Sequence, residues 1–264
     1  MKIHDQHVHS YYSYDCDQTI EDYLISATKR GLSYFVLTDH CDLNHISSGE
    51  DLFFDLRKQD EELIELQNKY PNIKILRGIE IGYRPSELLR IQKIIKDNRF
   101  DIINLSLHEL DDIDYYFKDG FVRDGVKNTL ETYFQKQLEM VNNFDDFDVL
   151  CHIDFGFKTA YLLDNSLCIK DYEDTIKKIM QTIIQKGKVF ELNVKVQEYL
   201  PIEHTKYLLN LYKSLGGKYI TISSDAHKID RFCGGFDKYI PIIKAAGFDS
   251  LTYFIDRKKY QYNI

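Results

Sequence analysis

Short apolar runs alternate along this chain with longer amphipathic segments. Residues 2–8 predict a first strand. Residues 18–30 follow as a helix, with Ile20, Leu24 and Ala27 on one face and Gly31 as a stop. YFVLTD at 34–39 is a continuous apolar run of the kind buried in parallel sheets. A charged helix spans 50–70, and further strands fall at 73–81, 101–107, 147–152, 189–194 and 218–223. Between them lie helices at 86–97, 127–143, 171–187 and 203–215. The 171–187 helix carries Ile176, Ile179, Met180 and Ile183 on one stripe. The tail adds a helix at 236–246 and a short strand at 250–255. Regular β-then-α alternation calls for parallel strands with right-handed crossovers. Seven such strands favour an α/β fold closed into a distorted barrel over an open sheet. Segments 41–50 and 109–126 lack periodicity and are read as loops over a pocket.

With 264 residues, no internal repeat and no Pro/Ser-rich linker, residues 1–264 read as a single domain. A hydrophobic content of 44% supports a sizeable core, and the net charge of −8 argues against general attraction to nucleic acid. A small anionic substrate stays compatible, because bound divalent ions dominate a local field. Cys16, Cys41, Cys151, Cys168 and Cys233 form no CxxC pair, which suits a reducing compartment. The first residues have no apolar signal-peptide core, and no run reaches the ~20 apolar residues of a membrane span. A cytoplasmic protein without a membrane partner is expected. Oligomeric state is not legible.

Candidate chemistry sits at the strand ends. His7, His9, Asp15, His40, Glu80, His108, His152, Asp225 and His227 nearly all occur at or just after an apolar run. Parallel barrel strands bring such positions together at their C-terminal ends. His7 and His9 alternate along a strand and share a face, as do Asp225 and His227. Glu80 lies amid apolar strand residues, and a buried carboxylate needs a cation. Six imidazoles and three carboxylates exceed the needs of one ion, so a multinuclear metal hydrolase is expected. The donor types suit zinc, iron or manganese. Phosphomonoester hydrolysis is the reaction that most needs such a cluster. Lys158, Lys195, Arg231 and Arg84 follow strand ends and are candidates for binding a substrate phosphate. Tyr83, Tyr115, Tyr116 and Phe117 are candidate walls for a leaving group, and His45 a candidate substrate contact from its loop. Asp39 is read as orienting a nearby histidine, and His204 as structural.

In this order, HDQHVHSYYSYD, LTDH, RGIEIGY, LSLHEL, CHIDF, ELNV and SSDAH resemble the PHP (polymerase and histidinol phosphatase) superfamily over essentially the whole chain. GIEIGYRP, HIDFGFK and the closing FIDRKKY look like its histidinol-phosphate phosphatase branch. The resemblance implies a distorted (βα)7 TIM-like barrel with three divalent ions. His7, His9, Glu80 and Asp225 would hold one ion. Glu80 would bridge to a second, held with His108 and His152, and Asp15, His40 and His227 would hold the third. A bridging hydroxide would attack phosphorus, with Asp225 or His227 as the candidate acid for the departing alkoxide. The expected activity is hydrolysis of L-histidinol phosphate in histidine biosynthesis. The rivals are another phosphate ester, such as a nucleotide, and a non-catalytic metal-binding module. Family members can use arginines just after HIDF; here Lys158 is the cation in that stretch, a point charge in place of a planar fork.

Overall fold

The computed structural model describes residues 4–264. After an N-terminal segment come helix α1 (Ile20–Lys29), strands β1 (Tyr34–Leu37), β2 (His40–Asp42) and β3 (Leu52–Phe53), α2 (Leu56–Lys69) and β4 (Lys74–Gly82). Next are α3 (Leu88–Asp97), β5 (Ile102–Ser106), the hairpin β6 (Glu109–Leu110) and β7 (Ile113–Asp114), α4 (Asp119–Asp124) and α5 (Val126–Asn143). They lead to β8 (Val149–Leu150), α6 (Phe155–Tyr161), α7 (Glu173–Gln185), β9 (Val189–Asn193), α8 (Val194–Gln197) and α9 (Ile202–Ser214). The chain ends with β10 (Ile220–Ser223), α10 (Phe236–Ala245) and the hairpin β11 (Ser250–Ile255) and β12 (Lys258–Asn263).

The helices form where side-chain periodicity and caps agree. Thr19 caps α1 by accepting from the Asp22 amide, while Ile20, Tyr23, Leu24 and Ala27 bury one stripe. Asp55 caps α2 by accepting from the Arg57 and Lys58 amides. The buried stripe of α7 is Ile176, Ile179, Met180 and Ile183, as the sequence pattern requires.

The main sheet runs β10-β9-β8-β5-β4-β2-β3, and β1 also pairs with β4. Its ladders are parallel except for β2 with β3. The α/β class and parallel order match the sequence pattern. The expected first strand is the exception, and its residues 2 and 3 lie outside the described residues. From residue 4 onward it is not a regular strand but joins both edges of the sheet. Val8 bridges Ala226 in parallel, the His9 amide donates to the Ala226 carbonyl at 2.9 Å, and the Thr38 amide donates to the Val8 carbonyl at 2.9 Å. The edges thus meet through a single bridge and a few bonds rather than a continuous ladder.

The two ends of the strands differ in character. At their starts, Val36, Leu76, Ile102, Val149 and Val189 pack with Phe254 of β11 into an apolar plug. The C-terminal hairpin that supplies this plug turns at Asp256 and Arg257, both with positive φ, 51° and 60°. Two central residues of that kind make a type I′ turn, usually built from Asn-Gly or Asp-Gly. The Asp-Arg pair gives no such signal, so β12 is invisible to the sequence pattern. The opposite, C-terminal strand ends carry the polar candidates.

Gly78 in β4 lets neighbouring strands approach. A Cβ there would lie 2.6 Å from Ile102 Cγ2 and from the Leu37 carbonyl oxygen, and 2.7 Å from Thr38 Cγ2. Two of these contacts belong to the point where β1 hands over to β2, and a backbone oxygen cannot turn aside. Gly78→Ala is therefore expected to destabilise the metal-free protein by about 1–3 kcal/mol. Urea unfolding checks this, and an unchanged midpoint would show that the strands have room to part.

Candidate metal centre

All nine strand-end candidates converge on one end of the sheet. A cavity of about 660 Å³ is lined by Asp15, His40, Glu80, His108, His152, Asp225 and His227, among others. His7 and His9 lie fully buried beneath them. The ladder sets this arrangement directly. His40 of β2 pairs in register with Glu80 of β4, and Glu80 with Asn104 of β5, which puts Ser106 and His108 beyond it at the strand's exit. Asp225 has a φ of 50°, a left-handed conformation that turns the chain just after β10. Such backbone is rare outside glycine, and Asp is among the residues that tolerate it.

Glu80 is the hub. Its Oε2 lies 3.1 Å from His7 Nε2, 3.4 Å from His9 Nε2 and 3.1 Å from His40 Nδ1. Its Oε1 lies 3.2 Å from His108 Nε2 and 2.9 Å from His152 Nε2, and it accepts a short hydrogen bond from the Ser106 hydroxyl. Each carboxylate oxygen thus faces its own group of imidazoles. Around them, Asp225 Oδ1 sits 3.4 Å from His9 Nε2 and 3.4 Å from His227 Nδ1. Asp15 spans the outer side, 3.5 Å from His40 Nε2 and 3.0 Å from His227 Nε2.

Burial pushes the Glu80 pKa up, but the imidazoles of His7, His108 and His40 outweigh it and hold the carboxyl well below its usual range. For His7, burial opposes protonation, while Glu80 and Glu191 reverse it and hold the pKa well above the usual value. Burial dominates at His9, and the nearby His227 and His40 add repulsion, so its pKa falls well below the usual value. Fit to a metal can be judged from the nitrogens. His7 Nε2, His9 Nε2, His40 Nδ1 and His227 Nε2 are buried and make no hydrogen bond among the described residues, although each faces a carboxylate. Ligand-type atoms within 4.8 Å of one another occur as His7-His9-Glu80, His40-Glu80-His108 and His9-His40-His227. Converging imidazole and carboxylate donors, with those four nitrogens left without a hydrogen bond, fit divalent ions of the zinc, iron or manganese type.

Buried partners orient the ligands, and two of the strongest were not candidates from sequence. Glu191 of β9 takes His7 Nδ1 at 2.8 Å and the His152 amide at 2.7 Å. Asn193 donates to both Glu191, at 3.3 Å, and Asp225, at 3.2 Å. Asp42 lies 3.0 Å from His108 Nδ1 and 3.3 Å from His40 Nδ1. Both had a readable signal. Glu191 is a carboxylate inside an apolar strand, as Glu80 is, and Asp42 repeats the two-residue spacing after His40. Asp39 does not meet a histidine directly. It accepts from Ser13, whose hydroxyl lies 3.0 Å from His9 Nδ1, and from Ser10 and Gln59.

The candidate cations separate. Lys158 and Lys195 line the cavity. Lys195 Nζ donates to Asp225 Oδ1 at 3.2 Å and approaches His227 Nδ1 at 3.1 Å. Arg84 and Arg231 fall outside the cavity lining and lie against carboxylates instead. Arg84 faces Glu109 at 3.6 Å, and Arg231 pairs with Glu198 on the surface. Tyr116, Phe117 and His45 line the outer cavity. Tyr115 is instead packed on Tyr133 in the core, and Tyr83 is buried among the core residues. His204 pairs with Asp154 at 2.8 Å, well buried, which fits its structural reading. Both unpatterned segments reach the cavity, through Ser47, Ser48 and Glu50 on one side and Glu109 and Asp114 on the other, but 109–126 is not a plain loop, since it holds the β6-β7 hairpin and α4.

Known proteins share this architecture. The PHP domain model matches residues 5–195. A probable histidinol-phosphatase of Clostridium acetobutylicum is 31% identical over 230 residues, covering 86% of this chain and 88% of that protein. The histidinol-phosphatase of Lactococcus lactis is 28% identical, covering 98% of each chain. The crystal structure of the Lactococcus lactis histidinol phosphate phosphatase, complexed with zinc, L-histidinol and phosphate, superposes with a TM-score of 0.86 at 26% identity, covering 98% of this chain and 99% of that one. No described helix is long and apolar enough to cross a membrane. With its imidazole-carboxylate cluster at the strand ends, the chain belongs to the PHP domain family, in its histidinol-phosphatase branch.

Proposed function

We propose that this protein hydrolyses L-histidinol phosphate to L-histidinol and phosphate with three divalent ions in the strand-end cluster. The observation that carries this reading is the Glu80 carboxylate, whose two oxygens face separate groups of imidazoles. His7, His9, Glu80 and Asp225 would hold one ion, Glu80, His108 and His152 the second, and Asp15, His40 and His227 the third. Ions in such a donor set bring the pKa of water toward neutrality and neutralise charge on a phosphoryl group.

The chain's own residues do the rest. Lys195 and Lys158 add positive charge at the cavity wall for the phosphate. Phe155, Tyr116 and Phe117 supply an aromatic wall, and Glu50, Glu109 and Asp114 line the outer cavity with carboxylates. An amino alcohol bearing an ammonium and an imidazole suits that acidic mouth, whereas a nucleotide would bring further negative charge against it. The relative crystallised with zinc, L-histidinol and phosphate supports both the metal class and the substrate.

Phosphate release from L-histidinol phosphate, compared with nucleotides and sugar phosphates, tests the assignment on metal-reconstituted protein. Selective turnover of histidinol phosphate is expected, and preference for another ester would discard that substrate. Glu80→Gln is expected to lower both bound metal and turnover by more than about 100-fold. Full metal content in that variant would remove Glu80 from the ligand set.

Glu191→Gln tests the orienting layer. The amide can donate toward His7 Nδ1 instead of accepting, which favours the wrong imidazole tautomer for a metal at Nε2. Metal affinity is expected to fall about 10–100-fold in a chelator competition. Unchanged affinity would make Glu191 a packing group.

A further inference from the structure

Lys158 stands apart from the other cations of the cavity. It lies on α6 and is 8% exposed. Among the described residues its ammonium meets ring faces rather than carboxylates, lying 4.3 Å from the Phe155 centroid and 5.2 Å from that of Tyr116. Lys195 differs, since Asp225 and His227 hold it. A buried ammonium without an anion is costly and awaits a partner in the cavity. We propose that Lys158 is the general acid that protonates the leaving-group oxygen of the ester. This rests on the phosphomonoesterase reading and goes beyond it by naming the proton donor.

The chemistry requires such a donor. As water's oxygen bonds to phosphorus and releases a proton to solvent, the ester P–O bond breaks and its electron pair goes to the leaving oxygen. An alkoxide is a poor leaving group, so a proton must reach that oxygen. Lys158 Nζ gives one up, the alcohol departs neutral, and the amine regains a proton from solvent. Asp225 and His227 are less suited to this step. Both are assigned to hold metal, and a ligand's donor atom carries no proton.

The surroundings tune the amine for this role. Burial, and then the charge of Lys195 on α8, bring the Lys158 pKa down to about 8, while Asp225, Asp154 and Asp114 pull it upward. Asp154 begins α6 and is itself paired with His204 of α9. Tyr133 of α5 packs against Gly156, and Tyr116 caps the ammonium from the hairpin side. A donor near the working pH both holds its proton and releases it readily. Arginine in the same place would keep the charge and never release the proton.

The experiment uses holoprotein and a series of phosphate esters running from p-nitrophenyl phosphate, whose phenolate leaves unaided, to L-histidinol phosphate. Lys158→Arg is expected to lose about 100-fold more kcat on the alkyl ester than on the aryl ester. The dependence of kcat on leaving-group basicity should steepen, and the fall in alkyl-ester turnover at alkaline pH should disappear. Metal content and thermal unfolding verify that the variant is intact, and Lys158→Met repeats the comparison without the charge. Equal losses on both esters, or wild-type alkyl turnover in Lys158→Arg, would overturn the assignment and leave Lys158 as a binding charge. Wild-type holoprotein that releases phosphate from none of the esters would take down the phosphatase reading along with it.

Discussion

One buried carboxylate governs this structure. Glu80 is 1% exposed, sits inside the sheet on β4, and carries a charge that bare protein interior cannot tolerate. Its neighbours answer that demand: five imidazoles lie within 3.4 Å of its oxygens. They arrive from the N-terminal segment, β2, and the exits of β5 and β8, so the demand can be met only if those strand ends share one level. Parallel ladders supply this, because in-register pairing of His40 with Glu80 and Glu80 with Asn104 fixes the heights. The acidic net charge of −8 does not prevent an anion site here. The central carboxylates are matched locally by imidazoles and Lys195, and the field inside the cavity is set by those neighbours and any bound ions.

The fold and the convergence of the nine strand-end candidates are legible in the sequence for related reasons. Apolar runs ending in His, Asp or Glu mark strands whose last residues leave the core, and a barrel-like sheet gathers those ends. Regions of weak legibility share a physical cause as well. α6 is buried across Gly156–Ala160, Lys158 and Thr159 included, so it has no alternation of apolar buried and polar exposed faces for periodicity to reveal. The first strand reduces to a bridge because Val8 pairs with one edge and hydrogen-bonds the other. Arg84 and Arg231 follow strand ends as Lys158 and Lys195 do, yet they lie outside the cavity lining, against Glu109 and Glu198. A long side chain's destination depends on those tertiary partners, which the order of residues does not display.

Ligand positions alone would leave the imidazoles free to rotate, and the structure prevents this with small residues as much as with polar ones. Gly82 ends β4 beneath Asp42: a Cβ there would lie 1.8 Å from Asp42 Oδ1. That oxygen is the one 3.0 Å from His108 Nδ1, so the missing side chain is what allows the carboxylate to reach the ring. On the opposite side, Glu191 receives His7 Nδ1, the His152 amide and Ser223, and Asn193 extends the network to Asp225. His7, His152 and Asp225, drawn from distant parts of the chain, are therefore tied to one another through β9. A change at Gly82 or Glu191 would act on the imidazole-carboxylate cluster without removing any of its members. The catalytic geometry is thus a property of the β4 and β9 backbones, and the histidines report it rather than create it.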